Sequence, residues 1–169
     1  MKIHPSAVID PKAEIDSDVE IGPYVVIEGR VKIKGGTRVM AHAYLTGWTE
    51  IGNGNEIHPG AILGDAPQDT AYKGEQTYLR IGHQNIFREY VQVHRGTVAG
   101  SSTVIGNNNF LMATSHVGHN CKLGDNVILA NGALLGGHVE VGNGVFVSGN
   151  CVVHQFVRIG EYEIGRAHV

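Results

Sequence analysis

The sequence is short of charge, cysteine, aromatic residues and long apolar runs. Charged residues occupy 17% of the 169 positions, and the formal net charge is −3 with no block of one sign. That excludes a disordered acidic tail and the basic footprint of a nucleic-acid binder. No stretch of 18 or more apolar residues occurs, so the sequence offers no membrane-spanning helix. The opening MKIHPSAVID has no apolar signal-peptide core, and the expectation is a cytoplasmic protein without membrane insertion. Two cysteines, Cys121 and Cys151, cannot build a disulfide framework and suit a reducing compartment. Aromatic residues amount to 7% and prolines number 5, whereas glycine reaches 24. So much glycine suggests a chain that turns often and at a fixed interval.

That interval is six. Stepping by six from Ile3 to Ile159 samples 27 positions, of which 25 are apolar. Chance at this composition gives roughly 11. The two exceptions, Asp69 and Glu75, are consecutive steps and mark an insertion. A second track, four residues later, holds small or β-branched residues such as Ala7, Val19, Thr37, Ser115, Cys121 and Val145. Glycine repeatedly follows the aliphatic position directly, as at Gly22, Gly118 and Gly136. A six-residue unit is a short strand plus a corner, too short for a helical repeat. Three units close one coil of a triangular prism, with the aliphatic track on its axis. About eight coils stacked at ~4.8 Å give a prism on the order of 40 Å long. The predicted fold is all-β, a parallel β-helix of hexapeptide repeats covering residues 1–163. The two cysteines fall on different faces and read as small core residues.

Two segments leave the pattern. Residues 69–80, DTAYKGEQTYLR, carry charge and read as a loop projecting from the prism; 98–103 form a softer break, with Ala99 at the aliphatic position. Residues 164–169, IGRAHV, are what the start of a common sequencing-library adapter encodes. They are expected to be read-through on a chain truncated at its C-terminus, and to be set aside in fold reasoning.

The candidate chemistry lies in HVGHNC. One coil of 18 residues carries His119 onto Gly137, with His138 beside it. An imidazole titrates near pH 6.5, which suits a general base at neutral pH. A backbone N–H next to it can stabilise an oxyanion, and a glycine permits close approach. Other histidines, His4, His42, His58 and His83, read as structural or solvated corner residues, and His168 lies in the suspect tail. Two other readings stay open. His116, His119 and His138 supply enough imidazoles for a zinc site of the γ-carbonic-anhydrase type, and a prism wall can serve only as a contact surface.

Several segments resemble the bacterial UDP-N-acetylglucosamine O-acyltransferase family: IHPSAVIDPKAEI, GDAPQDTAYKGE, NIFREYVQVHRGT, HVGHNCKLGDNVILAN, LLGGHVEVGN and VHQFVRIG, together spanning residue 1 to about 160. The resemblance implies a left-handed prism that forms a homotrimer. It implies acyl transfer from an acyl carrier protein thioester to the 3-hydroxyl of UDP-N-acetylglucosamine, the first step of lipid A synthesis, without a cofactor. By the same resemblance His119 is the general base and the Gly137 N–H the oxyanion donor. Asp69, His94, His116, His138, His154 and Gln155 match substrate-binding positions. Two positions depart from the family pattern: Ala71 stands where many relatives carry lysine, and Asn120 where many carry aspartate.

Overall fold

The computed structural model describes residues 2–165. It contains 25 short strands and no helix among those residues. The strands stack into three parallel walls. Wall 1 has nine strands, from Lys2–Ile3 to Ile164–Gly165. Wall 2 has eight, from Val8–Ile9 to Val152–Val153. Wall 3 has eight, from Glu14–Ile15 to Arg158–Ile159. Each wall takes one strand per coil, so Ile3 pairs with Ile21 and Leu111 with Leu129, 18 residues on. This is the expected left-handed parallel β-helix.

The aliphatic track fills the axis. Ile27, Ile33, Leu45, Ile57, Leu63, Phe87, Leu111 and Leu135 are completely buried. Full burial of each such side chain contributes about 1.5–3 kcal/mol. The second track, including Val19, Thr37, Ser115, Cys121 and Val145, is also buried, and it accommodates the larger Asn55, Leu79, Asn85 and Asn109 as well. Cys121 and Cys151 are free and buried, and burial pushes the Cys121 thiol up to about 11. At many corners the last residue of the hexapeptide turns the chain with a positive φ. Asn108, Asn120, Asn126 and Asn150 do so, as asparagine tolerates. So do Tyr24, His42, Tyr90, His138 and Phe156, which the stacked coils must hold there against the local preference.

Both interruptions exist, but each begins three residues earlier than the sequence suggests. The projecting loop is 66–77, between strands Ile62–Asp65 and Tyr78–Ile81; the shorter one is 95–101, between Gln92–His94 and Ser102–Ile105. Tyr78–Ile81 belongs to wall 3, paired with Trp48–Ile51 and with Ser102–Ile105. Ala99, in phase by coincidence, is exposed in the second loop. The pairing offset widens to 30 residues at Glu56↔Ile86 and 24 at Ile86↔Phe110. Both offsets are multiples of six, so the period survives while the coil register shifts. Both loops leave wall 2 and re-enter at wall 3, so one corner of the three carries every insertion.

The segment 164–169 lies partly outside the described residues. Of its first two, Ile164 pairs with Phe146 and Gly165 with Val147. Gly165 therefore stands at the axis position that holds Ile, Val, Phe or Leu in the eight earlier strands of wall 1.

Candidate active site

The corner between walls 2 and 3 stacks His119, Gly137 and Gln155 at its first position, and Asn120, His138 and Phe156 at its second. The first position is one whose N–H the coil network does not use. Pro5, Pro11, Pro23 and Pro59, which lack that proton, occupy it at other corners. The Gly137 N–H accordingly donates to no group among the described residues. A Cβ built on Gly137 would come within 2.6 Å of His119 Cε1 and Nε2. The imidazole thus lies directly against the Gly137 peptide, and a side chain at 137 would displace it.

The ring is oriented from its other side. His119 Nδ1 lies 3.0 Å from Asn120 Oδ1. The Thr97 N–H also donates to that oxygen, at 3.0 Å, so an acceptor faces both groups. His119 Nδ1 therefore carries the proton, and in the neutral ring Nε2 holds the free lone pair. The Asn120 N–H donates to Thr103 Oγ1 at 2.8 Å, which fixes the asparagine. Asp69, from the projecting loop, places Oδ2 3.7 Å from His119 Nε2. The His119 side chain is 11% exposed, so the base is largely shielded from solvent.

The remaining histidines surround this pair. His138 packs edge-on to His119, ring centroids 5.2 Å apart, and stacks on Phe156 at 4.7 Å. Burial and the His119 ring hold His138 below the usual imidazole range, with Asp69 opposing them. On wall 2, His94 Nδ1 donates to Ala66 O at 2.7 Å, and its buried Nε2 has no partner among the described residues. His116 lies 5.1 Å from His94. Burial, and then His94, pushes its pKa down to about 4. His154 and Gln155 are exposed one coil above Gly136 and Gly137.

All eight positions singled out in the sequence thus fall on this corner, on the edge of wall 2 beside it or, for Asp69, on the loop that projects from it. Sequence reasoning missed Phe156, which the 18-residue step from His138 marks. It also missed Tyr72, Arg95 and Thr97, which lie in the loops where the step fails, and Thr103, a strand residue that the 18-residue step sets beside Cys121, next to Asn120. His4, His42 and His58 have partners elsewhere: Ser6, the Tyr24 ring, and Glu56 with Glu89. The zinc reading is not favoured. Among the described residues no three or more of His, Cys, Asp and Glu are grouped to hold a metal.

Residues 102–137 match the family model described as bacterial transferase hexapeptide (six repeats). The acyl-[acyl-carrier-protein]--UDP-N-acetylglucosamine O-acyltransferase of Thermodesulfovibrio yellowstonii is 51% identical over 131 residues, 77% of this chain and 51% of that protein. A crystal structure of UDP-N-acetylglucosamine O-acyltransferase from Moraxella catarrhalis is similar with a TM-score of 0.93 at 41% identity, covering 97% of this chain and 64% of that one. The UDP-N-acetylglucosamine acyltransferase of Arabidopsis is similar with a TM-score of 0.82 at 35% identity, covering 99% of this chain and 67% of that one. The chain belongs to the UDP-N-acetylglucosamine acyltransferase family. It spans about half the length of the first curated relatives it matches. Within this family fold, the corner that carries both insertions is also the one that carries the His119–Gly137 pair.

Proposed function

We propose that this chain transfers a (3-hydroxy)acyl group from acyl carrier protein to the 3-hydroxyl of UDP-N-acetylglucosamine, the first step of lipid A synthesis, with His119 as general base. The observation that carries this reading is the His119 ring, set by Asn120 in the tautomer that keeps Nε2 free and packed against the Gly137 peptide. Nε2 takes the proton of the sugar 3-hydroxyl as its oxygen attacks the thioester carbonyl. The carbonyl oxygen gains the negative charge and accepts a hydrogen bond from the Gly137 N–H. Collapse expels the carrier thiolate, which recovers the proton from the imidazolium. Asp69, His94, His116, His138, His154 and Gln155 line the path of the substrates. The buried Nε2 of His94, without a partner among the described residues, is placed to meet a polar group of the sugar.

The site lies on a convex corner, so a neighbouring subunit is needed to close it. Wall 1 supports a homotrimer. Its outward positions are charged at Lys2, Glu20, Arg38 and Glu56, then apolar at Ile86, Phe110, Ile128 and Phe146. A stripe of this kind, only half-buried in one chain, marks a surface for a second copy. No helix among the described residues is long and apolar enough to cross a membrane, in keeping with a cytoplasmic enzyme.

The test is a transfer assay with an acyl carrier protein thioester and UDP-N-acetylglucosamine, run with this chain and with a chimera that adds the remaining length of the Thermodesulfovibrio relative. Product acylated at the 3-hydroxyl is expected, unchanged after dialysis against a strong chelator. Absence of product in both forms overturns the activity, and loss restored by zinc overturns the cofactor-free mechanism. Sedimentation of an active monomer overturns the trimer.

A further inference from the structure

The mechanism does not use Arg95, yet this residue connects the two loops that project beside His119. Its backbone N–H donates to Asp65 O at 3.2 Å. Its Nη1 donates to Gly64 O at 2.7 Å, and Nη2 to the Tyr72 hydroxyl at 3.0 Å. The guanidinium carbon also sits 5.5 Å from the centroid of the Tyr72 ring. The prism makes room for this side chain at Gly47, where a Cβ would come within 3.0 Å of Nη1. Tyr72 in turn closes the turn that carries Asp69. Its N–H donates to Asp69 O at 3.1 Å and its hydroxyl to Glu75 O at 2.8 Å, while Asp69 Oδ1 accepts from the Ala71 N–H at 2.9 Å. The other carboxylate oxygen is the one facing His119 Nε2. A continuous set of contacts therefore runs from the prism wall through Arg95 and Tyr72 to the acid beside the base.

We propose that Arg95 is a positioning residue: by clamping Tyr72 against the prism it holds the Asp69 turn at the His119 imidazole. The proposal rests on the reading of His119 as the base. An arginine is required because one planar group must meet a carbonyl, a hydroxyl and a ring face together; a lysine ammonium would serve one of them.

The experiment follows the His138 ring by NMR through a pH titration of this chain. Asp69 favours protonated His138, so moving the carboxylate away lowers the midpoint. Removing the arginine charge acts in the opposite direction, which makes the sign diagnostic. Asp69→Asn should lower the midpoint. Arg95→Gln, Arg95→Lys and Tyr72→Phe should lower it in the same direction by a smaller amount, and none should lower it further on top of Asp69→Asn. Tyr72→Phe keeps the ring and carries the test if an Arg95 variant fails to fold. The proposal is overturned if the folded variants keep the wild-type midpoint, raise it, or shift it equally in the Asp69→Asn background. No turnover is needed, so a chain that transfers no acyl group still decides the role of Arg95.

Discussion

His42 and His138 occupy the same place in the hexapeptide, and only one of them sits in a candidate site. Both turn a corner with a positive φ, 61° and 60°. Both stack on an aromatic ring one coil away, His42 on Tyr24 at 5.1 Å and His138 on Phe156 at 4.7 Å. What separates them is the residue before each and the loops around it. Ala41 precedes His42 between walls 1 and 2, where consecutive coils connect without insertion. Gly137 precedes His138, its missing side chain leaves the space His119 fills, and both projecting loops arrive at that corner. The repeat thus supplies identical frames at every corner, and chemistry arises where a histidine, a glycine and an insertion fall on one of them.

The largest expected break in this comparison is His119→Ala. Removing a positioned base costs ~10²–10⁴-fold in turnover. The prism should survive, because its core is the aliphatic track and His119 lies off it. Circular dichroism checks the fold beside the transfer assay. His42→Ala supplies the contrast. It should leave turnover unchanged and cost about 0.5–1.5 kcal/mol of stability from the lost stack on Tyr24. Near-native turnover in folded His119→Ala would move the base assignment to His116 or His138.

Gly137→Ala comes next. The added methyl would meet the His119 ring at 2.6 Å, so the imidazole must swing away from the peptide that is to bind the oxyanion. A misplacement of about 1 Å costs on the order of 10²-fold in rate. Gly137 is not in the positive-φ region, so the backbone accepts alanine and the melting temperature should change little. A loss of turnover matched by a loss of fold would mean that Gly137 serves packing alone.

The period of six made the prism, its axis and the His119–Gly137 neighbourhood legible, because backbone pairing ties residues 18 apart wherever coils are regular. The same period concealed the loop boundaries. The offsets of 30 and 24 residues keep the phase, so Ala99 mimicked an axis residue and Tyr78 to Arg80 passed for loop. Across those insertions the 18-residue step fails. The contacts of Asp69 with His119, of His94 with His116 and of Arg95 with Tyr72 therefore needed coordinates. Asp69 and His94 entered the site from the sequence through family resemblance, not through spacing.

A smaller effect concerns stability against pH. His116 has a folded pKa of about 4 against an ordinary 6.5, because burial and His94 disfavour its charged form. Between those values the unfolded chain binds a proton that the folded chain refuses. Stability is therefore full above about pH 6.5, declines as pH falls, and levels off below about pH 4. Discounted for partial exposure, the loss is on the order of 1–2 kcal/mol. His116→Gln should flatten this part of the melting-temperature profile, whereas His42→Gln should not. An unchanged slope in His116→Gln would show that another group titrates there.

The smallest expected change sharpens the comparison at Asn120. Its Oδ1 accepts from both His119 Nδ1 and the Thr97 N–H, and a carboxylate can accept both bonds in the same place. Asn120→Asp should therefore preserve the ring orientation and the free Nε2. It would add a charge that stabilises the imidazolium formed when the sugar proton arrives, a service the amide cannot provide. Turnover should stay the same or rise by about threefold, since an added charge at a partly exposed site is worth at most about 1 kcal/mol. Asn120→Leu, close in size but without the acceptor, removes the restraint on the tautomer and should lower turnover. If Asn120→Asp lost activity as heavily as Asn120→Leu, the asparagine would be acting through its amide N–H groups, and the orientation of His119 would have to come from another contact.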